Sequence, residues 1–432
     1  MEPLLFLVHR IPFPPNKGDK IRSYHILKYL AKSYDVFLGT FIDDEEDWQY
    51  EGQINSLCKE TFIRGLKPFS SKIKSLSGFV TNQPLTLPYY YDDTLQKWVE
   101  AVVEKHNIQK MVVFSSSMAQ YIDHPRYKNK TRVIDFVDVD SEKWRQYSAK
   151  KTWPESYVYK REAKRLLEYE KSVASTFNAS LFVSDDEARC FSDLMGVTSA
   201  KIDYFFNGVD THYFKPDEAH ISPYQEGEKV IVFTGAMDYW ANEDAVTWFA
   251  QEVFPDVRDK YNLKFYIVGS NPTNAVKNLA GIDGVTVTGR VADIRPYLAF
   301  AFIAVAPLRI ARGIQNKVLE AMAMESCVIA SSSAVEGIKA QGGNLILIAD
   351  SKSDYLQQIT LLIEQAQQIK SIGQAARSFV VRQFGWDNNL ARLGLFLNNE
   401  DTTVHNDLAC QVEAKVEALI DAQVETKAGK HS

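Results

Sequence analysis

Three stretches carry side chains whose types and spacing suit chemistry. In "PLRIARGIQNKVLEAMAMESCVIAS" (307–331), Arg309, Arg312 and Lys317 lead to Glu320, between two hydrophobic runs. The pattern predicts a strand delivering Arg309, then a helix of about a dozen residues opened by Gly313. A helix start offers free N–H groups and partial positive charge, which draws anions. Arg309 and Lys317 would add full charges there, each charge-assisted hydrogen bond being worth roughly 1.5–3 kcal/mol. Glu320, about seven residues in, would lie ~10 Å along the axis. That suits a carboxylate accepting from the vicinal hydroxyls of a ribose whose diphosphate sits at the helix start. The same spacing also fits a plain i,i+3 ion pair on a solvated helix face.

In "DFVDVDSEKW" (135–144), carboxylates recur at period two. Alternation along a strand puts Asp138 and Asp140 on one face, and no other ligand cluster accompanies them, so no metal site is expected. Asp138 is instead a candidate to orient an acceptor hydroxyl or take its proton; Asp140 serves equally as a loop or cap carboxylate. In "PPNKGDKIR" (14–22), Gly18 permits a close approach of backbone to ligand and Asp19 can cap the following helix. Lys17 and Arg22 flank that turn within reach of phosphates. The bland alternative is a loop with an N-cap.

These residues need a frame. The 432 residues, 45% hydrophobic and 24% charged, suit a soluble protein of two domains. A net charge of -6 argues against a nucleic-acid partner. Four scattered cysteines and eight histidines form no CxxC or HExxH pattern, so neither disulfides, a metal nor another cofactor is expected. No apolar run approaches a membrane span, and the first is too short for a signal peptide, which predicts a cytoplasmic protein.

Strand-like runs alternate with helical patterns, the signature of βαβ units and parallel sheets. "LLFLVHR", "YDVFLGTF", "KMVVFSSS", "RVIDFVDV" and "ASLFVSD" read as strands of a first domain, with helices near 19–32 and 153–175. After a polar break near 215–228 the alternation restarts with "KVIVFTG", "KFYIVGS", "VTVTGRV", "FIAVAPLR", "CVIASS" and "LILIAD". The expected organisation is an acceptor domain (1–215), a donor domain (228–380), a crossover helix (381–398) and a tail (399–432) that either docks as an amphipathic helix or frays. Two doubly wound α/β domains would face each other across a cleft, and open α/β sheets bind ligands at the carboxyl ends of their strands.

The 307–331 stretch resembles the donor-nucleotide element of the retaining GT-B glycosyltransferases of family 4. Together with "GDKIRSYHILKYL", "DFVDVDSEKW" and "FTGAMDYWANEDAV", it resembles the sugar transferases of bacterial exosortase (PEP-CTERM) and exopolysaccharide systems over roughly residues 1–395. The resemblance implies a cytoplasmic, metal-independent, retaining hexosyltransferase working at the inner face of the bacterial membrane. Its donor would be a UDP- or GDP-type sugar and its acceptor a glycan or lipid-linked hydroxyl. It implies that Glu320 holds the ribose, that Arg309 and Lys317 bind the diphosphate and assist its departure, and that Gly313, Ile314 and Gly235 complete the donor site. The loop Gly289–Val291 would bring Arg290 and Val291 to the base. Gly18, Asp19 and Arg22 would stand beside the transferred sugar, and Asp138 takes the place of a family histidine. Arg312 stands where the family has a glutamate facing the donor sugar, and "GAMDYWANED" replaces a basic pair. Two other readings therefore remain: a nucleotide-sugar-binding scaffold without turnover, and a GT-B epimerase.

A membrane-surface contact is suggested by two further stretches. From Thr61 to Tyr91 there is no acidic residue, while Arg64, Lys67, Lys72 and Lys74 interleave with Phe69, Ile73, Leu76 and Phe79. "KWRQYSAKKTWPESYVYKREAKR" (143–165) mixes cations with tryptophans and tyrosines. Such segments lie on anionic membranes, though a solvated helix face has the same composition.

Overall fold

The structure, a computed structural model, describes residues 1–398 except 16–17, 150, 197–200, 312–313 and 339–343. The expected tail (399–432), Lys17, Arg312 and Gly313 thus lie outside the described residues. The chain divides into two compact units, one formed by Met1–Phe206 with the segment from Leu390 onward, the other by Asn207–Asn389.

The first unit holds seven strands: β1 (Glu2–Val8), β2 (Tyr34–Ile42), β3 (Glu60–Gly65), β4 (Lys110–Phe114), β5 (Thr131–Val137), β6 (Ala179–Phe182) and β7 (Ile202–Tyr204). Every pairing is parallel, in the order β3-β2-β1-β4-β5-β6-β7. Leu4 through Val8 are wholly buried. A continuous apolar run of this kind, rather than an alternating one, belongs to a strand covered on both faces. Strands β3 and β7 were not foreseen; they are edge strands with no fully buried residue and little apolar run to announce them.

The second unit holds β8 (Lys229–Thr234), β9 (Leu263–Val268), β10 (Val285–Gly289), β11 (Ile303–Ala306), β12 (Val328–Ala330) and β13 (Leu347–Ile348). They pair in parallel in the order β10-β9-β8-β11-β12-β13. In both sheets the order reverses beside the first strand, at β1/β4 and at β8/β11. Loops that leave those strands diverge to opposite sides and open a crevice at the carboxyl edge. This topology brings residues 9–15 together with the β4 loop in one unit, and 235–239 together with 307–311 in the other.

The division between units falls at Phe206/Asn207, ahead of the polar break at 215–228. Residues 207–214 are tied into the second unit. Val209 bridges to Gly385, and Arg377 donates to the carbonyls of Thr211 (3.2 Å) and Phe214 (2.8 Å). A Cβ at Gly208 would lie 2.6 Å from the Phe384 carbonyl oxygen, so only glycine lets these segments meet. The terminal helix Trp386–Asn398 starts in the second unit and ends in the first, where Arg392 donates to Asp203 at 3.0 Å. Among the described residues no helix is long and apolar enough to cross a membrane.

Candidate functional site

In the second unit, β11 leads through Pro307 and Leu308 to Arg309, and the helix Asn316–Ala323 follows. The helix begins three residues later than Gly313, because Gln315 is still extended (φ -91, ψ 101). Glu320 therefore lies four residues past the first helical position, about 6 Å along the axis rather than 10 Å. Among the described residues no side chain caps this start.

Lys317 occupies the second helical position. Its ammonium donates to the Asn242 side-chain amide oxygen and sits 4.7 Å above the Phe233 ring. Asn242 is itself buried, donating 2.7 Å to the Ala236 carbonyl. The Arg309 guanidinium is held by both Asp244 oxygens, with Nε 2.9 Å from one of them. Asn242 and Asp244 both belong to the helix Trp240–Trp248, so the segment after β8 supports the two cations of the β11 loop. The structure brings Gly235 to the same place: a Cβ there would stand 2.8 Å from the Asn242 amide and 3.4 Å from the Lys317 ammonium. Sequence reasoning overlooked Asn242 and Asp244; their i,i+2 spacing behind the glycine of β8 was the only available signal.

Among the described residues no ion pair joins Lys317 to Glu320, and no side chain donates to the Glu320 carboxylate. The plain surface pair does not form. Both groups are half-buried and walled by protein. Burial pushes the Glu320 carboxyl up to about 7, against the pull of Lys317. Burial likewise brings the Lys317 ammonium down to about 8, with Glu320 opposing. A carboxylate free to accept and a partly desolvated cation on one helix face can take two hydroxyls and neutralise a phosphate. Tyr213 was also overlooked: its ring stacks 4.0 Å from the Arg295 guanidinium, within electrostatic range of Glu320. Arg290 is exposed and Val291 half-buried just past Gly289, where β10 ends on the same sheet edge. Ile314 is half-buried ahead of the helix.

In the first unit, Arg10 at the end of β1 bridges Asp43 (2.6 Å) and Asp19 (2.7 Å), and His9 Nε2 stands 3.6 Å from Asp19. Asp19 is not a cap. It lies inside the helix Gly18–Ala31, and His9 with Arg10 holds its carboxyl far below the usual range despite burial. Gly18 faces open space, since a Cβ there would meet nothing within 4 Å. Arg22 corrects the sequence reading outright. Its side chain is wholly buried, bound to Asp135 at 2.7 Å and to the Phe205 and Phe182 carbonyls, so it reaches no ligand.

Asp138 follows Val137, whose φ of 71° is a left-handed conformation that a β-branched residue adopts only under constraint. The kink coincides with a register shift between β5 and β6 and turns Asp138 toward Lys143, 2.6 Å away. Lys143 also lies 3.4 Å from Asp140, so the period-two carboxylates share one cation. Among the described residues no three His, Cys, Asp or Glu side chains gather as a metal ligand set. Behind them, Glu170 accepts from the Ser141 hydroxyl at 2.5 Å. Burial pushes its carboxyl up to about 8 from an ordinary 4.5.

Between those values the folded chain keeps a proton that the unfolded chain releases, so stability falls as pH rises from about 4.5 to 8. Glu170→Gln should remove this slope, which is at most about 1.4 kcal/mol per pH unit for one group. Melting temperatures measured from pH 5 to 8 check it: the gap between variant and wild type should widen in the variant's favour, and a constant gap contradicts the burial account.

Residues 228–365 match the family model of the glycosyl transferases group 1. A curated relative from Mycobacterium tuberculosis is named GDP-mannose-dependent alpha-(1-6)-phosphatidylinositol monomannoside mannosyltransferase. It is 28% identical over 242 residues, 51% of this chain and 61% of that protein. The chain thus spans 61% of the length of the curated relatives it matches. Among solved structures, HepE of Anabaena in complex with UDP superposes with a TM-score of 0.64 at 13% identity, covering 92% of this chain and 100% of that one. Sucrose-phosphate synthase of Thermosynechococcus elongatus gives 0.63 at 16% identity, with 92% and 99% covered. The likeness to these structures is one of fold: two Rossmann-like parallel-sheet domains, the GT-B class.

Proposed function

We propose that the chain is a glycosyltransferase that moves a sugar from a nucleoside-diphosphate donor to an acceptor hydroxyl. The observation that carries this reading is the helix start at Asn316. Among the described residues that helix start has no side-chain cap and Glu320, one turn beyond, has no side-chain donor, while Lys317 and Arg309 offer positive charge beside it. That element falls inside the stretch matching the group 1 transferase model. Charge developing on the departing diphosphate would meet preorganised donors, and stabilisation of that kind usually contributes more than any other effect to such catalysis.

UDP- and GDP-type donors both remain in view, since HepE is seen with UDP and the mycobacterial relative is named for GDP-mannose. A hexosyl group, retention of configuration, independence from metal, and a lipid-linked or glycan acceptor of exopolysaccharide or exosortase-linked assembly at the cytoplasmic membrane face complete the proposal. On the acceptor side Asp138, with Lys143, orients the hydroxyl.

A thermal-shift panel of UDP, GDP and their sugars tests the site. One nucleotide family should raise the melting temperature of wild type, and Lys317→Ala and Glu320→Ala should each abolish most of that rise. Undiminished stabilisation in both variants would remove the site assignment. Release of nucleoside diphosphate from the stabilising sugar nucleotide separates a transferase from a scaffold that only binds.

A further inference from the structure

The segment 68–81 folds with its polarity inverted. Helices Pro68–Ser75 and Ser77–Thr81 join through Leu76, itself in helical conformation (φ -62, ψ -22), and so form nearly one helix. The positions facing the protein are Ser71, Ser75 and Gly78, spaced i, i+4 and i+7. The large apolar residues face outward at i, i+4, i+7 and i+11: Phe69 is 79% exposed, Ile73 57%, Leu76 56% and Val80 90%. A surface helix normally does the reverse, and an apolar stripe of this size on a soluble surface marks an interaction site.

The segment is held in place. On the long helix Glu155–Thr176, Arg161 donates to the Gly78 carbonyl at 2.6 Å and covers the Phe79 ring at 4.7 Å. Its neighbour Glu162, buried, accepts from the Leu85 and Thr86 backbone N–H groups at 2.6 and 3.0 Å. Tyr157, one turn before Arg161 on that helix, is also exposed. The face is therefore presented by a pinned element.

Charge selects the occupant. The chain carries a net -6, yet residues 61–91 hold Arg64, Lys67, Lys72 and Lys74 and no carboxylate. A second copy related by a twofold axis would set these cations against themselves. An apolar stripe flanked by lysines suits an anionic lipid surface, where phosphates meet the ammonium groups and the aromatic and aliphatic side chains enter the headgroup boundary.

We propose that this face docks the protein on anionic membranes. The inference rests on surface chemistry alone and stands whether or not the chain transfers sugar. Co-sedimentation of the full chain with phosphatidylcholine vesicles, with and without phosphatidylglycerol, tests it. Binding should require phosphatidylglycerol and weaken with salt. Two variants, Phe69→Ser/Ile73→Ser/Val80→Ser and Lys67→Glu/Lys72→Glu, should each bind roughly tenfold or more weakly. Both change exposed positions, so melting temperature and nucleotide stabilisation should stay at wild-type values. Failure of wild type to bind anionic vesicles, or wild-type binding by both variants, overturns the proposal. So does self-association in sedimentation equilibrium that the serine variant alone abolishes, since a second copy would then cover the stripe.

Discussion

Arg22→Met is expected to lower folding stability by about 3–5 kcal/mol, the range for breaking a buried ion pair from one side. The guanidinium binds Asp135 through Nε at 2.7 Å and Nη2 at 3.2 Å, donates 2.9 Å to the Phe205 carbonyl, and lies 3.6 Å from the Phe205 ring. Its removal leaves a carboxylate at 1% exposure and takes the guanidinium donor from the Phe205 carbonyl, while the Phe182 carbonyl keeps the Phe205 N–H at 3.1 Å. Burial already pushes the Asp135 carboxyl up, so without the cation it would take up a proton to remain inside. Adding Asp135→Asn removes the stranded charge and keeps an acceptor for the Val137 N–H, which now donates to Asp135 at 3.1 Å. The double variant should therefore recover part of the loss, with a coupling of about 0.5–3 kcal/mol. Urea unfolding of the four proteins of the cycle measures it. A single-variant cost below about 1 kcal/mol, the size expected of an exposed pair, would contradict the buried clamp. Nucleotide stabilisation should survive Arg22→Met once folded protein is compared; its loss would return Arg22 to the ligand site.

Why Arg22 misled the sequence reading is instructive. It stands four residues past Gly18 beside a turn suited to anions, and nothing local shows that its helix face points inward. Its partners lie 113, 160 and 183 residues away, on β5, β6 and the segment after β7. A register of that kind is a tertiary property. What sequence did disclose is local and periodic: every strand but β3 and β7, read from short apolar and β-branched runs, the restart of the pattern, and the cation–carboxylate grouping around Lys317. The helix start was misplaced by three residues because Gly313 was read as the opening, whereas Gln315 extends the loop. Asn242 and Asp244 escaped because their value comes from β8 lying beside β11. That adjacency is set by the strand-order reversal, which no spacing in the chain announces. Asp138 was singled out for its alternation, but the φ of Val137 that aims it is visible only in the fold.

Lys317→Ala should lower the rate of sugar transfer by roughly 10²–10³-fold, the effect of removing one preorganised donor from a developing oxyanion. The ammonium is oriented by Asn242 and the Phe233 ring. It therefore loses little freedom when the diphosphate departs, and it acts in a partly desolvated setting where charge is less screened. Its titration provides a second readout. Lys317 is charged below about 8, and Glu320 is ionised above about 7. If both charged forms are needed, kcat/KM rises through 7, peaks between the two values and falls through 8. The diphosphate of a nucleotide sugar holds no titrating proton in that range, so both limbs belong to the protein. Lys317→Arg should flatten the alkaline limb, because a guanidinium stays charged there, and Glu320→Gln should remove the acid limb while weakening donor binding. A lysine serving only to steady the helix would behave differently. Its replacement by alanine would lower stability and leave the pH profile of the surviving activity unchanged, and that outcome would take Lys317 out of the chemistry.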